Sequence, residues 1–400
     1  MLNKKIVYLD YAATTPVDKR VLTAMMPYFS DNFGNASSIH VAGSMALSAV
    51  DKARGQIALL LHCNASDVYF TSGATESDNL AILGLIRGIV KNQTGFKPHV
   101  IVSAIEHEAI LEPVKRLAND GLIEVYFLGV DNDGLVNLDE LKRVVQENTV
   151  LVSIMLANNE IGAIQPITEV ASVIADINID RKQKIYFHTD ATQAPAYVNC
   201  DVNKLGVDTM SLSAHKIYGP KGVGASYVKK GTPMESLVYG GGQQGGVRSG
   251  TYNVSGIVGF GQAIAILADK KNQIKENSRI KKMRDYLIKG LKKKISKITV
   301  NGSLKQRLPN NASFIIPGVE GESMLLMLSQ RGIAVSTGSA CSSGSLEPSH
   351  VLLAIGVPQE LAHGSLRVTL GRFTVKKDVD KLIKELPLIV ENLRRMSPLK

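Results

Sequence analysis

Cysteine is scarce in this chain and keeps no pattern. Cys63, Cys200 and Cys341 are an odd number at irregular spacing, which excludes a disulfide framework and a CxxC metal or redox signature. They fit a reducing compartment. Long apolar runs are missing as well: nothing approaches the roughly 18 uninterrupted apolar residues of a membrane span. The opening Met1-Leu2-Asn3-Lys4-Lys5 leads straight into strand-like Ile6-Val7-Tyr8-Leu9, with no apolar signal core. A cytoplasmic protein is therefore expected. There is no low-complexity tract, no internal repeat and no clustered metal-ligand motif, so no metal site is expected. What is present is ordinary for a globular protein, 44% hydrophobic and 20% charged residues. At 400 residues the natural expectation is one large domain with a smaller one.

The formal charge of +10 points to nucleic acid until it is located. Between Lys270 and Lys297 twelve Lys and Arg stand against Glu276 and Asp285, so the excess is local. Ile280, Met283, Leu287 and Leu291 recur at helical spacing, which predicts an amphipathic helix with a basic, solvated outer face. Only one aromatic, Tyr286, stands among the lysines, which argues against stacking on single strands and against nucleic acid as the main partner.

Strand-like runs at 68–71, 100–103, 125–127, 151–154, 185–188 and 209–212 alternate with helical stretches near 75–90, 107–119, 138–147 and 167–177. This pattern predicts an α/β domain with a mostly parallel sheet, whose ligands bind at the carboxyl ends of the strands. A long helix from about 256 to 297 is expected to lead into a smaller α/β domain. That domain would carry strands at 312–316, 333–336 and 366–370 and a closing helix from about Lys376 to Met396. The expected division is 16–262 for the large domain, with 1–15 and 263–400 forming the small one.

Two residues at the predicted sheet edge carry the chemistry. Asp190 closes His188-Thr189-Asp190, and Lys216 follows 26 residues later in Ser213-Ala214-His215-Lys216. This pair suits pyridoxal phosphate (PLP), which needs a lysine amine for a Schiff base and a carboxylate to keep its pyridine nitrogen protonated. Thr71-Ser72-Gly73-Ala74-Thr75-Glu76 turns from a strand into a helix start, a ready phosphate site, to which Ser213 and His215 can add donors. His107, after another strand, can stack on a ring and shuttle protons, and Gln193 can bond the phenolic oxygen. Gly240-Gly241-Gly242-Gln243-Gln244-Gly245 matches GxGxxG literally. It follows no clear strand and lacks the downstream acid, so it is expected to be a flexible loop rather than a nucleotide site. That loop runs into Arg248-Ser249-Gly250-Thr251, a polar stretch able to reach a phosphate. Cys341 sits among nine small residues in 336–345, a mobile loop (about 336–346) rather than a packed core, and reactive thiols need such access.

Together these residues resemble a known family. Tyr8-Leu9-Asp10-Tyr11-Ala12-Ala13-Thr14-Thr15-Pro16, Thr71 to Ser77, Ala157-Asn158-Asn159-Glu160-Ile161-Gly162, His215 to Gly222, Gly364-Ser365-Leu366-Arg367 and Gly371-Arg372-Phe373 are similar to the cysteine desulfurases of the NifS/IscS kind. These are PLP enzymes of the aspartate-aminotransferase fold, fold type I. The resemblance implies that Lys216 holds PLP and moves the substrate α-proton. Asp190 would pair with the pyridinium, Gln193 with the phenolate, and His107 would stack on the ring. Ala74, Thr75, Ser213 and His215 would bind the phosphate, joined by Thr251 of a neighbouring subunit in a homodimer. Asn159 and Arg367 would hold the substrate carboxylate, with Asn35 also on the substrate side. Asn35 stands in Phe33-Gly34-Asn35-Ala36, where the family's usual motif ends in proline.

The implied reaction converts L-cysteine to L-alanine and leaves a persulfide on Cys341. The sulfur would pass to an acceptor protein, an iron–sulfur scaffold or a tRNA-thiolation enzyme. A selenocysteine lyase, or another enzyme of the same fold, is the alternative; a non-enzymatic sulfur-relay scaffold is a third reading.

Overall fold

The computed structural model describes residues 6–91, 93, 95–338 and 348–396; Cys341 and most of its small-residue stretch lie outside the described residues. The strands are β1 (Val7–Tyr8), β2 (Val68–Thr71), β3 (His99–Ser103), β4 (Glu124–Leu128), β5 (Thr149–Ser153), β6 (Tyr186–Asp190), β7 (Thr209–Ser213), β8 (Gly224–Val228), β9 (Thr299–Val300), β10 (Asn311–Ile315), β11 (Ile333–Ala334) and β12 (Ser365–Thr369). Seven of them form one sheet in the order β2-β8-β7-β6-β5-β3-β4. Its pairings are parallel except those of β8, which runs antiparallel to β2 and β7. The mixed α/β architecture with a mostly parallel sheet is the one expected.

Burial explains the strand sequences. β3, β5, β7 and β8 are covered on both faces, so apart from His99 they read as apolar and hydroxyl runs. The edge strand β4 keeps exposed and half-exposed positions. Because β2, β3, β6 and β7 run the same way, Thr71, Ser103, Asp190 and Ser213 finish at one edge. The reversed β8 brings Gly224 between Thr71 and Ser213. A side chain at Gly224 would meet the Gly73 backbone at 2.7 Å, so glycine is what lets the turn after β2 close over it.

A second core joins Val7 and Leu9 to Ile280, Leu287, Leu291, Phe314, Met324, Val368, Leu382 and Leu386. It packs around a three-stranded sheet in the order β12-β10-β9 and a parallel β1–β11 pair.

Four features differ from the sequence expectation. The helix expected from 256 to 297 is two, Val254–Leu267 and Lys270–Lys294, and Asp269 starts the second by accepting from Asn272 N at 3.1 Å. The chain changes partners there: Phe260 and Ile264 belong to the large core, Ile280 and Leu287 to the second. Arg284 is not on the basic outer face; it is buried, donates to Leu308 O at 2.9 Å and pairs with Asp285. The 240–245 segment is a loop, as expected, but a tethered one. Gln244 bonds both Phe70 N and Phe70 O, so its side chain finishes the open edge of β2. Lastly, the helix Val41–Leu61 escaped notice because small residues dilute its apolar stripe. Those small residues serve close packing, since a side chain at Gly261 would strike Ala53.

Candidate active site

The converging strand ends line a cavity of about 510 Å³, within the usual range for a small-molecule site. Ala74, Thr75, His107, Asn159, Asp190, Gln193, Ser213, His215, Lys216 and Arg367 all lie on its wall. They come from segments spread over nearly three hundred residues of sequence, gathered by the sheet order. Thr251 and Asn35 do not join them: both are exposed and outside this chain's cavity. Cys341 lies outside the described residues.

Lys216 ends a short turn directly after β7, and its Nζ donates to Ala12 O at 2.7 Å and Ala13 O at 2.9 Å. The turn is held from both sides. Thr15 Oγ1 donates to His215 O at 2.8 Å and accepts from Tyr218 N at 2.8 Å. Tyr218 itself has φ 68, an unfavourable conformation for a bulky side chain, of the sort that surrounding structure must hold in place. Arg372 does so: its backbone N–H donates to the Tyr218 hydroxyl at 2.6 Å, and its guanidinium lies 4.3 Å from the ring centroid while pairing with Asp18 and Glu276.

The turn Ser72-Gly73 opens a helical stretch that runs from Ala74 to Val90, with a wider π turn at Leu80–Gly84. A Cβ on Gly73 would meet nothing within 4 Å, so space is open above the free amides of this helix start. The buried Ser213 hydroxyl faces the same cavity with no hydrogen-bond partner among the described residues. An anion with several oxygens fits this arrangement. Glu76, also on the cavity wall, is already engaged: its carboxylate takes Ser72 N at 2.7 Å and two nitrogens of Arg248 at 2.7 and 3.2 Å. Arg248 is thereby held by Glu76. His215 bonds Thr14 through Nδ1 at 3.1 Å, and burial beside Lys216 and Lys221 pushes it down to about 4, so it is neutral near pH 7.

His107 caps the helix Glu108–Asn119, its Nδ1 accepting from Ala109 N at 3.1 Å. Burial lowers its pKa, Lys216 and His350 press the same way, and Asp190 and Glu108 oppose them. The ring is thus neutral at pH 7, with its proton on Nε2. At the opposite wall Arg367 donates to Asp10 at 3.1 Å and to Asn159 O at 3.3 Å, while its Nε has no partner among the described residues. A guanidinium anchored on one side, with a free donor on the other, is suited to a carboxylate ligand.

Sequence reasoning missed several contributors. Asp10 anchors Arg367, and the Ala12–Thr14 segment holds Lys216, Gln193 and His215. Three buried carboxyls also went unread. Glu160, beside Arg367, accepts from Ser349 Oγ at 2.5 Å and is pushed up to about 7 by burial. Asp78 is buried on the cavity wall. Its helical spacing from Ala74, one turn away, was the available signal.

The third, Glu106, takes Ser103 Oγ at 2.6 Å and Met155 N at 2.7 Å on one oxygen, and burial raises its pKa from 4.5 to about 8. Its folded state therefore holds the proton more tightly than the unfolded chain does. That stabilisation is complete below about pH 4.5 and is lost as the pH climbs through about 8. Glu106→Gln, which keeps the acceptor oxygen but cannot ionise, should gain stability over the wild type progressively across this window, by on the order of a few kcal/mol at its alkaline end. Thermal unfolding of the cofactor-free protein between about pH 4 and 9 measures it; a difference that does not vary with pH contradicts the assignment.

Comparison with known proteins agrees with this geometry. The aminotransferase class-V family model matches residues 7–382. A cysteine desulfurase IscS from Dictyoglomus turgidum is 48% identical over 99% of this chain and 98% of its own length. One from Methanosarcina thermophila is also 48% identical, over 99% of this chain and 94% of its own. Among solved structures, a NifS-like protein superposes with a TM-score of 0.88 at 37% identity, covering 97% of this chain and all of that one. A second, SspA in complex with cysteine, gives 0.77 at 34% identity over 92% of this chain and 99% of its own.

Proposed function

The chain belongs to the aminotransferase class-V family, on its cysteine desulfurase branch, and from that premise we propose that it takes L-cysteine to L-alanine and leaves the sulfur as a persulfide on Cys341. The observation that carries this reading is the cavity itself. A lysine amine, an acid at the adjacent strand end, an anion cup and a half-free arginine occur together around one cavity of about 510 Å³.

The residues present fit PLP. Lys216 would hold it, Asp190 would face its ring nitrogen, and the Gly73–Thr75 turn with Ser213 and His215 would take its phosphate. Once bound, it supplies an electron sink for charge developing at the substrate Cα. Arg367 and Asn159 hold the substrate carboxylate. Lys216 moves the α-proton, and the neutral His107 offers Nε2–H as a donor at the same mouth. The Cys341 thiolate attacks the substrate sulfur: an S–S bond forms as the Cβ–S bond breaks, and protonation of the remaining fragment gives alanine.

Quantifying alanine and sulfide equivalents from L-cysteine tests this directly. Selenocysteine turned over in preference to cysteine would favour the lyase alternative instead.

A homodimer belongs to the same reading, with the partner's Thr251 at the phosphate. It is supported by the exposed apolar side chains Leu22, Met26, Phe29, Phe33, Ile39 and Val41, which lie close together in sequence, and by the exposure of Thr251. A monomer in equilibrium sedimentation would remove this element. A division into a large and a small domain is supported by the large core and the second core, although Ala263, Ile264 and Leu267 still pack in the large one, which moves the boundary from 262 to the Leu267–Lys270 break. A cytoplasmic setting is supported by the free thiols of Cys63 and Cys200. Among the described residues, no helix is long and apolar enough to cross a membrane. The sulfur acceptor, a scaffold for iron–sulfur clusters or a tRNA-thiolation protein, is a protein by this reading, and trapping of persulfide-charged enzyme on its partner identifies it.

A further inference from the structure

Asp78 is the buried carboxyl on the cavity wall that the proposed chemistry leaves without a task. One helical turn beyond Ala74, it lines the cavity and is only 1% exposed. Neither carboxyl oxygen makes a hydrogen bond of good geometry with a described residue, and the Ser211 hydroxyl, already bonded with His188, is the one side-chain donor that bears on it. The side chain that would have to supply a counter-charge is His188, whose Nε2 stands 3.7 Å away. Yet that nitrogen is bonded with Ser211 at 3.1 Å and Nδ1 with Ser153 at 2.9 Å, deep in the sheet. Burial pushes His188 down to about 3, so it carries no charge and the contact is not an ion pair.

The other titratable groups facing Asp78 are Asp190 on β6 and Glu106 after β3, and both raise the cost of ionising it. A carboxylate here would be desolvated, without a cation, and beside a second negative charge. Burial accordingly holds Asp78 protonated well above the ordinary carboxylate range. Asp190 differs in its surroundings: its Oδ1 accepts from Thr192 N at 2.8 Å, a bond that suits the anion.

Resting on the PLP reading, we propose that Asp78 is a positioning residue, a neutral carboxylic acid in the cavity floor that leaves Asp190 the single anion offered to the cofactor's ring nitrogen. Two aspartates at one site then have opposite charge states, and amide substitution separates them. Asp78→Asn preserves shape and neutrality; Asp190→Asn removes the anion.

The test uses full-length wild type, Asp78→Asn and Asp190→Asn, first without cofactor. Infrared spectra with the aspartate carboxyl carbon isotopically labelled should show a protonated-acid stretch near pH 8 that is absent from Asp78→Asn and retained in Asp190→Asn. With PLP added, Asp78→Asn should bind within about threefold of wild type, with the same visible band and the same pH profile of that band. Asp190→Asn should bind about a hundredfold more weakly. Asp78→Asn losing PLP as severely as Asp190→Asn, or keeping the infrared band, overturns the proposal. Should Asp78→Asn fail to fold, the wild-type titration decides: a band that vanishes in the ordinary carboxylate range overturns it too. A wild type that binds no PLP sinks the cofactor reading instead, and the infrared result distinguishes that failure from this one.

Discussion

Lys216→Ala is expected to abolish turnover of L-cysteine, by about four orders of magnitude or more, and to remove the visible absorbance that a lysine-bound cofactor gives. In the proposed mechanism the same amine holds the cofactor and moves the α-proton, and no other lysine with a described hydrogen bond to the Ala12–Ala13 strip can replace it. The structural cost is small by comparison. Two backbone carbonyls lose a donor, worth about 1–2 kcal/mol in a partly exposed setting, so the variant should fold. Absorbance and alanine release, measured on the same folded sample, separate loss of chemistry from loss of structure. Alanine release within roughly tenfold of wild type would show that Lys216 does not carry the reaction.

Arg367→Ala comes next in size. The guanidinium is almost fully buried, tied to Asp10 and Asn159, with Nε left over. Removing it deletes the carboxylate anchor and leaves Asp10 without its cation in a site whose burial already raises its pKa. A loss of about a hundredfold to a thousandfold in kcat/KM for cysteine is expected, most of it in KM, because the interaction is made with the bound substrate before and during the reaction. Arg367→Lys should recover little of this, since one ammonium cannot bridge Asp10, Asn159 and a carboxylate together. Steady-state kinetics decide the matter. A kcat that collapses while KM stays unchanged would instead give Arg367 a role at the reacting bonds.

Those residues were legible in the sequence for definable reasons. Asp190 and Lys216 each follow a clear apolar strand, and a parallel sheet sends such positions to one edge. The Thr71–Glu76 turn announced itself by its glycine between strand and helix. Contributors that act through tertiary contact gave no such signal. Asp10 matters because β1 and β12 bring it to Arg367, some 357 positions away along the chain. The one antiparallel strand of the seven-stranded sheet, β8, was overlooked because Gly224-Ala225-Ser226-Tyr227-Val228 has little apolar bulk, and its glycine is required by the neighbouring turn. Asp78, Glu106 and Glu160 look like surface acids in sequence. Only burial marks them as neutral or nearly so, and burial is a property of the whole fold. The basic stretch 270–294 showed the reverse: the helix was readable, but Arg284 had turned inward to Leu308, which no local pattern reports.

The central claim is that Cys341 receives the sulfur. Mass spectrometry of the peptide carrying Cys341, after a single turnover of PLP-loaded enzyme with L-cysteine, tests it most directly when alanine is counted in the same sample. One added sulfur atom on Cys341 for each alanine released, with neither formed by Lys216→Ala, is the predicted result. Alanine released at full yield with Cys341 unmodified, or with the sulfur on Cys63 or Cys200, would contradict it.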